Sequence, residues 1–333
     1  MVRLIILRGL HSLLLPALML AVLPGQAQTP LLNLDGYTDA KGAISVQHKG
    51  DTIDPYFTLQ ALLLARDNGL DISTYAKPWV NWLVERQKPD ATFDRFCRNG
   101  PVWAPCKTAD ADDALLALWL KFLDTMPEEL TQNPAWLKSY QQSAAALARL
   151  LDTPRGIYLV SPVYQHGLFM DNLEVLSYQP ALSKVRTDVK LPSSKKLSRD
   201  IHNVFWDPKD KRFLVSTQPE QKNVPHTFYP EYVAQLFPLL FDFKLLGLNR
   251  NQHYQKWMRD HRAEWLTQSK ADFSWGLVAV IAARQGDRTS AACWLRETAS
   301  AKNTSHWIVT DTVAAQILAR QGISAAKPDV ACQ

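Results

Sequence analysis

The chain has 333 residues, of which 47% are apolar and 21% charged, and its formal net charge is +5. That length and apolar content suit one large domain with a full core, and so small a charge argues against nucleic acid as a partner. Neither a Gly-rich phosphate loop nor a Gly-x-Ser-x-Gly elbow occurs, which excludes the common nucleotide-binding and esterase signatures.

Residues 1–27 read as a secretory leader. Arg3 and Arg8 make a basic start, Leu10 to Val22 is almost wholly apolar, and Pro24-Gly25-Gln26-Ala27 offers small residues for cleavage. The apolar run is shorter than the ~20 residues that a membrane span needs. The mature chain, 28–333, is therefore expected to be a periplasmic or secreted single domain and a monomer, with no membrane contact. Export permits disulfides. Cys97 and Cys106 bracket a loop holding Gly100, Pro101 and Pro105 and are expected to pair, while Cys293 and Cys332 offer a second bridge. The spacing lacks the close Cys/His pairs of a zinc motif, and no metal or cofactor is expected.

Beyond the leader the apolar residues recur at helical spacing. Ile53, Phe57, Ala61 and Leu64 form one stripe, and Ala111, Leu115, Leu118 and Phe122 another. Further helices are expected near 76–88, 133–151, 170–183, 230–245, 251–266, 271–285, 288–299 and 305–320, with a weaker signal over 194–203. The helix end Ala283-Arg284-Gln285-Gly286 recurs as Ala319-Arg320-Gln321-Gly322, one helix pair later, with a looser copy at Ala65 to Gly69. Such a recurrence indicates stacked helical hairpins. Gly156 to Val160 and Val204 to Val215 break the pattern and read as short strands, the second a hairpin turning at Asp207 to Lys211.

Pairing the helices as inner and outer puts six inner starts near Asp54, Asp110, Asp171, Glu231, Asp272 and His306. Five of the six carry an acid, and aromatics lie close by: Tyr56, Phe57, Phe169, Tyr229, Phe273, Trp275. In a closed ring of hairpins these starts meet on one face. The densest acidic stretch is Thr108-Ala109-Asp110-Ala111-Asp112-Asp113, directly before an apolar helix and after Asp94, Trp103 and the two cysteines. Carboxylates serve proton transfer and bind hydroxyls, and aromatic faces stack on sugar rings.

Several pieces of the chain resemble the six-hairpin glycosidases, the (α/α)6 toroid superfamily: Phe205-Trp206-Asp207 with its hairpin, Phe169-Met170-Asp171-Asn172, Tyr229 to Pro238, and Ser274-Trp275-Gly276-Leu277. Ala109-Asp110-Ala111-Asp112 is similar to the acidic motif of glycoside hydrolase family 8. The resemblance implies an all-α toroid of six helical hairpins with short β-hairpins in the loops, and a glycoside hydrolase working on a bacterial exopolysaccharide. In family 8 a glutamate at the first inner helix is the general acid. This chain has Asp51-Thr52-Ile53-Asp54-Pro55-Tyr56 there, without a glutamate.

The sequence thus nominates Asp54 as acid, and Asp110 or Asp112 as base or hydroxyl ligand. Asp54 precedes Pro55 and is also a natural N-cap, which tends to lower its pKa. Tyr56, Asp94, Trp103, Asp171, Tyr229 and Trp275 are nominated to hold a poly- or oligosaccharide. Asp94 has a second reading as a salt-bridge partner of Arg95 or Arg98. Glu174 reads as part of a solvated helix face. The bridge between Cys97 and Cys106 is expected to set Trp103 beside Asp110 and Asp112. The missing glutamate supports an alternative, a non-catalytic glycan-binding or secretion accessory protein on the same scaffold.

Overall fold

The computed structural model describes residues 29–332 except 186, 242, 245 and 246; the leader expected over 1–27 lies outside the described residues. In chain order the elements are β1 (Thr52–Ile53), α1 (Pro55–Asp67), α2 (Ser73–Val84), β2 (Asp94–Asn99), β3 (Val102–Thr108), α3 (Asp112–Leu123), α4 (Pro127–Gln132) and α5 (Pro134–Arg149). There follow β4 (Leu151–Asp152), β5 (Ile157–Tyr158), α6 (Phe169–Ser177), α7 (Ser194–Phe205), β6 (Trp206–Asp207), β7 (Arg212–Phe213) and α8 (Phe237–Leu240). The last helices are α9 (Arg250–Thr267), α10 (Gly276–Arg284), α11 (Arg288–Glu297) and α12 (Val309–Arg320).

The fold is mostly helical, with short antiparallel strands in the connections. Helix α1 packs on α3, α3 on α6, α6 on α8, α8 on α10, α10 on α12, and α12 back on α1. Six inner helices therefore close a ring. Burial explains their sequences: α3 hides Asp113 to Leu120, Phe122 and Leu123, and α10 hides Gly276 to Ala282, so both are apolar nearly all round. Helices α2, α5, α7, α9 and α11 form the outer layer. Caps punctuate the ring. Asp54 caps α1 with Pro55 behind it, and Asn133, Ser193, Asn249 and Asp287 cap α5, α7, α9 and α11.

The sixth hairpin departs from the expected pattern. Among the described residues no outer helix follows α12. Residues 31–50 cover that flank instead: Gln47 bridges to Ile308, and the Tyr37 hydroxyl meets Thr312 Oγ1 at 2.7 Å. The tail turns back onto α11, where Cys293 pairs with Cys332 and Ala326 N–H donates to Ala292 O at 2.9 Å.

Three local expectations are corrected. The stretch before α3 is a three-stranded sheet in the order β1-β2-β3, not a loop. Its prolines and glycine mark the hairpin tip and a register shift at Arg95/Phe96 rather than irregular chain. The helix expected over 230–245 is broken: Tyr229 is extended before Pro230, a wide turn spans Phe228–Tyr232, and only Phe237–Leu240 continues regularly. The residue before a proline is disfavoured in the helical region, which accounts for the extended Tyr229. Val204 and Phe205 end α7, so the following hairpin begins only at Trp206.

Close packing at the ring has one strict requirement. A Cβ at Gly276 would stand 2.7 Å from Ala314 Cβ and 3.0 Å from Asp311 Oδ1, so only glycine lets α10 approach α12 there.

Candidate active site

The inner helices run parallel, and their N-terminal ends border a cleft of about 560 Å³. Asp54, Tyr56, Phe57 and Gln60 enter it from α1, Asp110 and Ala111 from the approach to α3, and Met170 and Asp171 from α6. Tyr229 enters from the wide turn, Asp272, Phe273 and Trp275 from the approach to α10, and Thr310 and Asp311 from α12. The β-sheet forms one wall, to which Arg95, Lys107, Cys97 and Cys106 contribute. Cys97 and Cys106 are bonded across the hairpin, with Cα atoms 5.7 Å apart.

Asp54 is 5% exposed and fully engaged. Its Oδ1 accepts from Tyr56 N–H at 3.0 Å and its Oδ2 from Arg95 Nε at 2.7 Å. Burial pushes its pKa up, and the Arg95 guanidinium and the Tyr56 amide oppose that push. The same guanidinium pairs through Nη2 with Asp110, whose side chain is exposed. Arg95 therefore clamps two of the sequence-nominated acids.

Asp171 heads α6 at the cleft floor. Its Oδ2 is buried and accepts from no amide, amine or alcohol donor. Burial and then the Asp110 charge raise its pKa to about 7, while a hydrogen bond from the Asp113 carboxyl works the other way. Beneath it lie two acids that the cleft does not expose. Asp113 is wholly buried, with Oδ1 accepting from Ala114 N–H at 2.9 Å; burial and Asp171 hold its pKa well up. Glu174 is wholly buried too, which corrects its reading as a solvated face. Its Oε1 accepts from the Tyr56 hydroxyl at 2.7 Å and from Gln60 at 3.4 Å. Burial, then the Asp171 charge, raise it to about 8. The signal for Glu174 was present in sequence: it stands one turn from Asp171 on an inner helix, and inner helices have no solvated face.

Across the ring, Asp311 is buried and accepts from Gly276 N–H at 2.7 Å and from Ile308 N–H at 3.0 Å. It joins α12 to the start of α10, and burial raises its pKa to about 7 despite these two donors. Trp275 donates through Nε1 to Asp272 Oδ2 at 3.3 Å and adopts a left-handed backbone at φ 55°. Such a conformation is costly for a large residue and is found chiefly where a site needs it. The Tyr229 ring, 52% exposed, lies 5.0 Å from the Trp275 ring at 33°. Together they offer an aromatic platform at the mouth.

The structure thus brings Asp54, Tyr56, Asp110, Asp171, Tyr229 and Trp275 to one cleft. It places three other nominated residues elsewhere. Asp94 pairs with Lys88 at 2.9 Å rather than with Arg95 or Arg98. Asp112 is half-buried next to Lys88, Asp90 and Asp94; burial raises its pKa to about 6. Trp103 is buried on the hairpin, donating through Nε1 to Asp39 at 2.9 Å under the Arg98 guanidinium, 4.2 Å from the ring centroid. The disulfide therefore does not set Trp103 beside Asp110, because cross-strand pairing with Arg98 turns the ring toward the N-terminal segment. Among the described residues no His, Cys, Asp and Glu group is arranged to hold a metal ion, and no helix is long and apolar enough to cross a membrane.

No family model matches this chain, and no curated protein matches it. Among solved structures its fold is similar to that of a novel alpha-amylase from Clostridium perfringens, at 11% sequence identity and a TM-score of 0.54. The match covers 86% of this chain and 94% of that one. At this identity the likeness is one of fold alone.

Proposed function

We propose that this chain is an exported glycoside hydrolase that cleaves a bacterial exopolysaccharide by carboxyl acid/base catalysis. The carrying observation is Asp171, a protonatable carboxyl at the floor of an aromatic-rimmed cleft. A general acid near neutral pH needs a raised pKa, and Asp171 meets that condition on the bare face of an inner helix start. It takes the donor role, protonating the glycosidic oxygen. Asp54, nominated from sequence as acid, is ion-paired with Arg95 and capped by Tyr56 N–H, and suits the carboxylate that accepts a proton from water. Asp110, exposed at the rim, suits a hydroxyl ligand. Tyr56, Tyr229 and Trp275 supply faces for sugar rings. The leader at 1–27 and two disulfides support export.

A reducing-end release assay over α-glucans, β-glucans and amino-sugar polymers tests this reading. Release from at least one polymer, lost in Asp171→Asn, is the expected result. The engagement of Asp54 by Arg95 favours one second reading, a non-catalytic glycan-binding protein of a polysaccharide secretion machine. That reading predicts glycan binding that survives Asp54→Asn with Asp171→Asn, and no turnover in the wild type.

A further inference from the structure

Asp113 stands in the first turn of α3 and Asp171 in the first turn of α6. The two helices pack on each other, and the two acids are hydrogen-bonded, carboxyl to carboxyl, at the cleft floor. Each carboxyl has one buried oxygen, Oδ2, that no amide, amine or alcohol reaches. Two carboxylates cannot make such a bond, because both offer only acceptors. One of the pair must carry a proton.

Burial decides which one. Asp113 is 0% exposed, and its one donor is Ala114 N–H. Asp171 is only partly buried and lines the cleft. The ionisable groups that act on the pair, or are acted on by it, are acids: Asp110 at the rim, Asp112 on α3, Glu174 on α6, Tyr56 on α1, Tyr158 on β5 and Tyr229 in the wide turn. Arg95, on the wall, is taken by Asp54 and Asp110. A carboxylate costs most where water is absent and no cation pairs with it. The proton therefore stays on Asp113, and a charge, when it forms, forms on Asp171 beside the cleft.

We infer that Asp113 is a positioning residue for Asp171, a protonated carboxyl that donates to it from beneath the cleft. It holds the Asp171 carboxyl at the floor and stabilises the charge that appears there. When Asp171 protonates a glycosidic oxygen, its O–H bond breaks, the electron pair stays on Asp171 and the proton goes to the leaving oxygen. The Asp113 hydroxyl then faces a carboxylate instead of a neutral acid, and its hydrogen bond strengthens. Asp113 keeps its own proton throughout, and solvent later returns one to Asp171. This consequence for turnover rests on the function proposed above; the donor role does not.

Carboxyl ¹³C NMR of aspartate-labelled protein, followed against pH on the full chain, tests the donor role, with each signal assigned by its loss in the matching Asp→Asn variant. In the wild type the Asp113 signal is expected to keep the shift of a protonated carboxyl through the pH at which Asp171 titrates. In Asp113→Leu the donor is gone, and the Asp171 midpoint is expected to rise by about one unit, a tenfold change in its acid constant. Asp113→Asn supplies a neutral donor through its amide and is expected to leave that midpoint at the wild-type value. An ionised Asp113 would reverse the sign, since either substitution would then remove a like charge and lower the Asp171 midpoint. A fall in either variant, or no change in Asp113→Leu, overturns the proposal. If Asp113→Leu does not fold, the wild-type Asp113 signal decides, and a carboxylate shift below the Asp171 midpoint overturns it. On a polymer that is turned over, Asp113→Leu is expected to lower kcat about tenfold at unchanged KM, and Asp113→Asn to restore it. Failure of every polymer would sink the hydrolase reading and leave the NMR result to judge the pair.

Discussion

The Tyr56 hydroxyl donates a 2.7 Å hydrogen bond to Glu174 Oε1 and accepts one from Gln60 Nε2 at 3.0 Å, tying the first inner helix to the third beneath the cleft. The bond is part-buried and its acceptor Glu174 is wholly so, so its loss strands the carboxyl rather than returning it to water. Tyr56→Phe is expected to cost about 1–3 kcal/mol, read as a lower urea midpoint with an unchanged m-value. Stability equal to the wild type would mean that this link does not hold the floor in place.

Arg95 joins Asp54 to Asp110 at the wall of the cleft. Asp54 is buried and Arg95 partly so, with side-chain exposures of 7% and 21%. Removing the guanidinium leaves the Asp54 carboxylate short of its main partner. Arg95→Met is expected to destabilise by about 2–4 kcal/mol, somewhat below the full cost for a wholly buried pair, and to raise the pKa of Asp54. Removing both partners, Arg95→Met with Asp54→Asn, is expected to recover part of that loss. A double variant as unstable as the sum of the singles would contradict the pairing.

Much of this arrangement was legible in the sequence. Asp54-Pro55 reads as a cap and helix start, and the structure has that cap. Six inner starts with acids and aromatics read as one cleft, and the ring gathers most of them. What escaped was set by partners distant in sequence. Trp103 looks like a sugar platform until Asp39 takes its N–H. Glu174 looks solvated until the ring closes over α6. The sheet of β1, β2 and β3 is hidden because Gly100, Pro101 and Pro105 resemble loop punctuation, and only the pairing of Cys97 with Ala104 gives them a register.

The buried acids also set a pH dependence of stability. Folding raises Asp171 from 3.8 to about 7, Glu174 from 4.5 to about 8 and Asp311 from 3.8 to about 7. Between the unfolded and folded values the native state holds more protons than the unfolded state, so stability falls as pH rises. The contribution is complete below about pH 4 and is lost through pH 7 to 8. Thermal scans at fixed ionic strength are expected to show a falling Tm from pH 5 to 8, with a shallower fall in Glu174→Gln. A Tm that rises over that interval would contradict the assignment of these protons.

The two disulfides are expected to respond differently to loss. Cys97–Cys106 closes a short hairpin loop, worth about 2–3 kcal/mol in the chain-entropy model, and its cysteines line the cleft. Cys97→Ser with Cys106→Ser is expected to loosen the wall that carries Arg95 and to weaken glycan binding at temperatures where the ring stays folded. Cys293 on α11 and Cys332 in the tail are buried and do not line the cleft. Their double serine variant is expected to lower Tm and leave glycan affinity unchanged. Equal effects of the two pairs on binding would argue against the hairpin as a cleft wall.

The central claim is that Asp171 delivers a proton to a glycosidic bond in this cleft. Reducing-end release by wild-type protein and by Asp171→Asn, compared on the same polymer with folding checked by circular dichroism, tests it most directly. The account predicts release by the wild type that declines above pH 7, and a loss of about 100-fold or more in the variant, the scale of general-acid catalysis. Release by Asp171→Asn at the wild-type rate would contradict it.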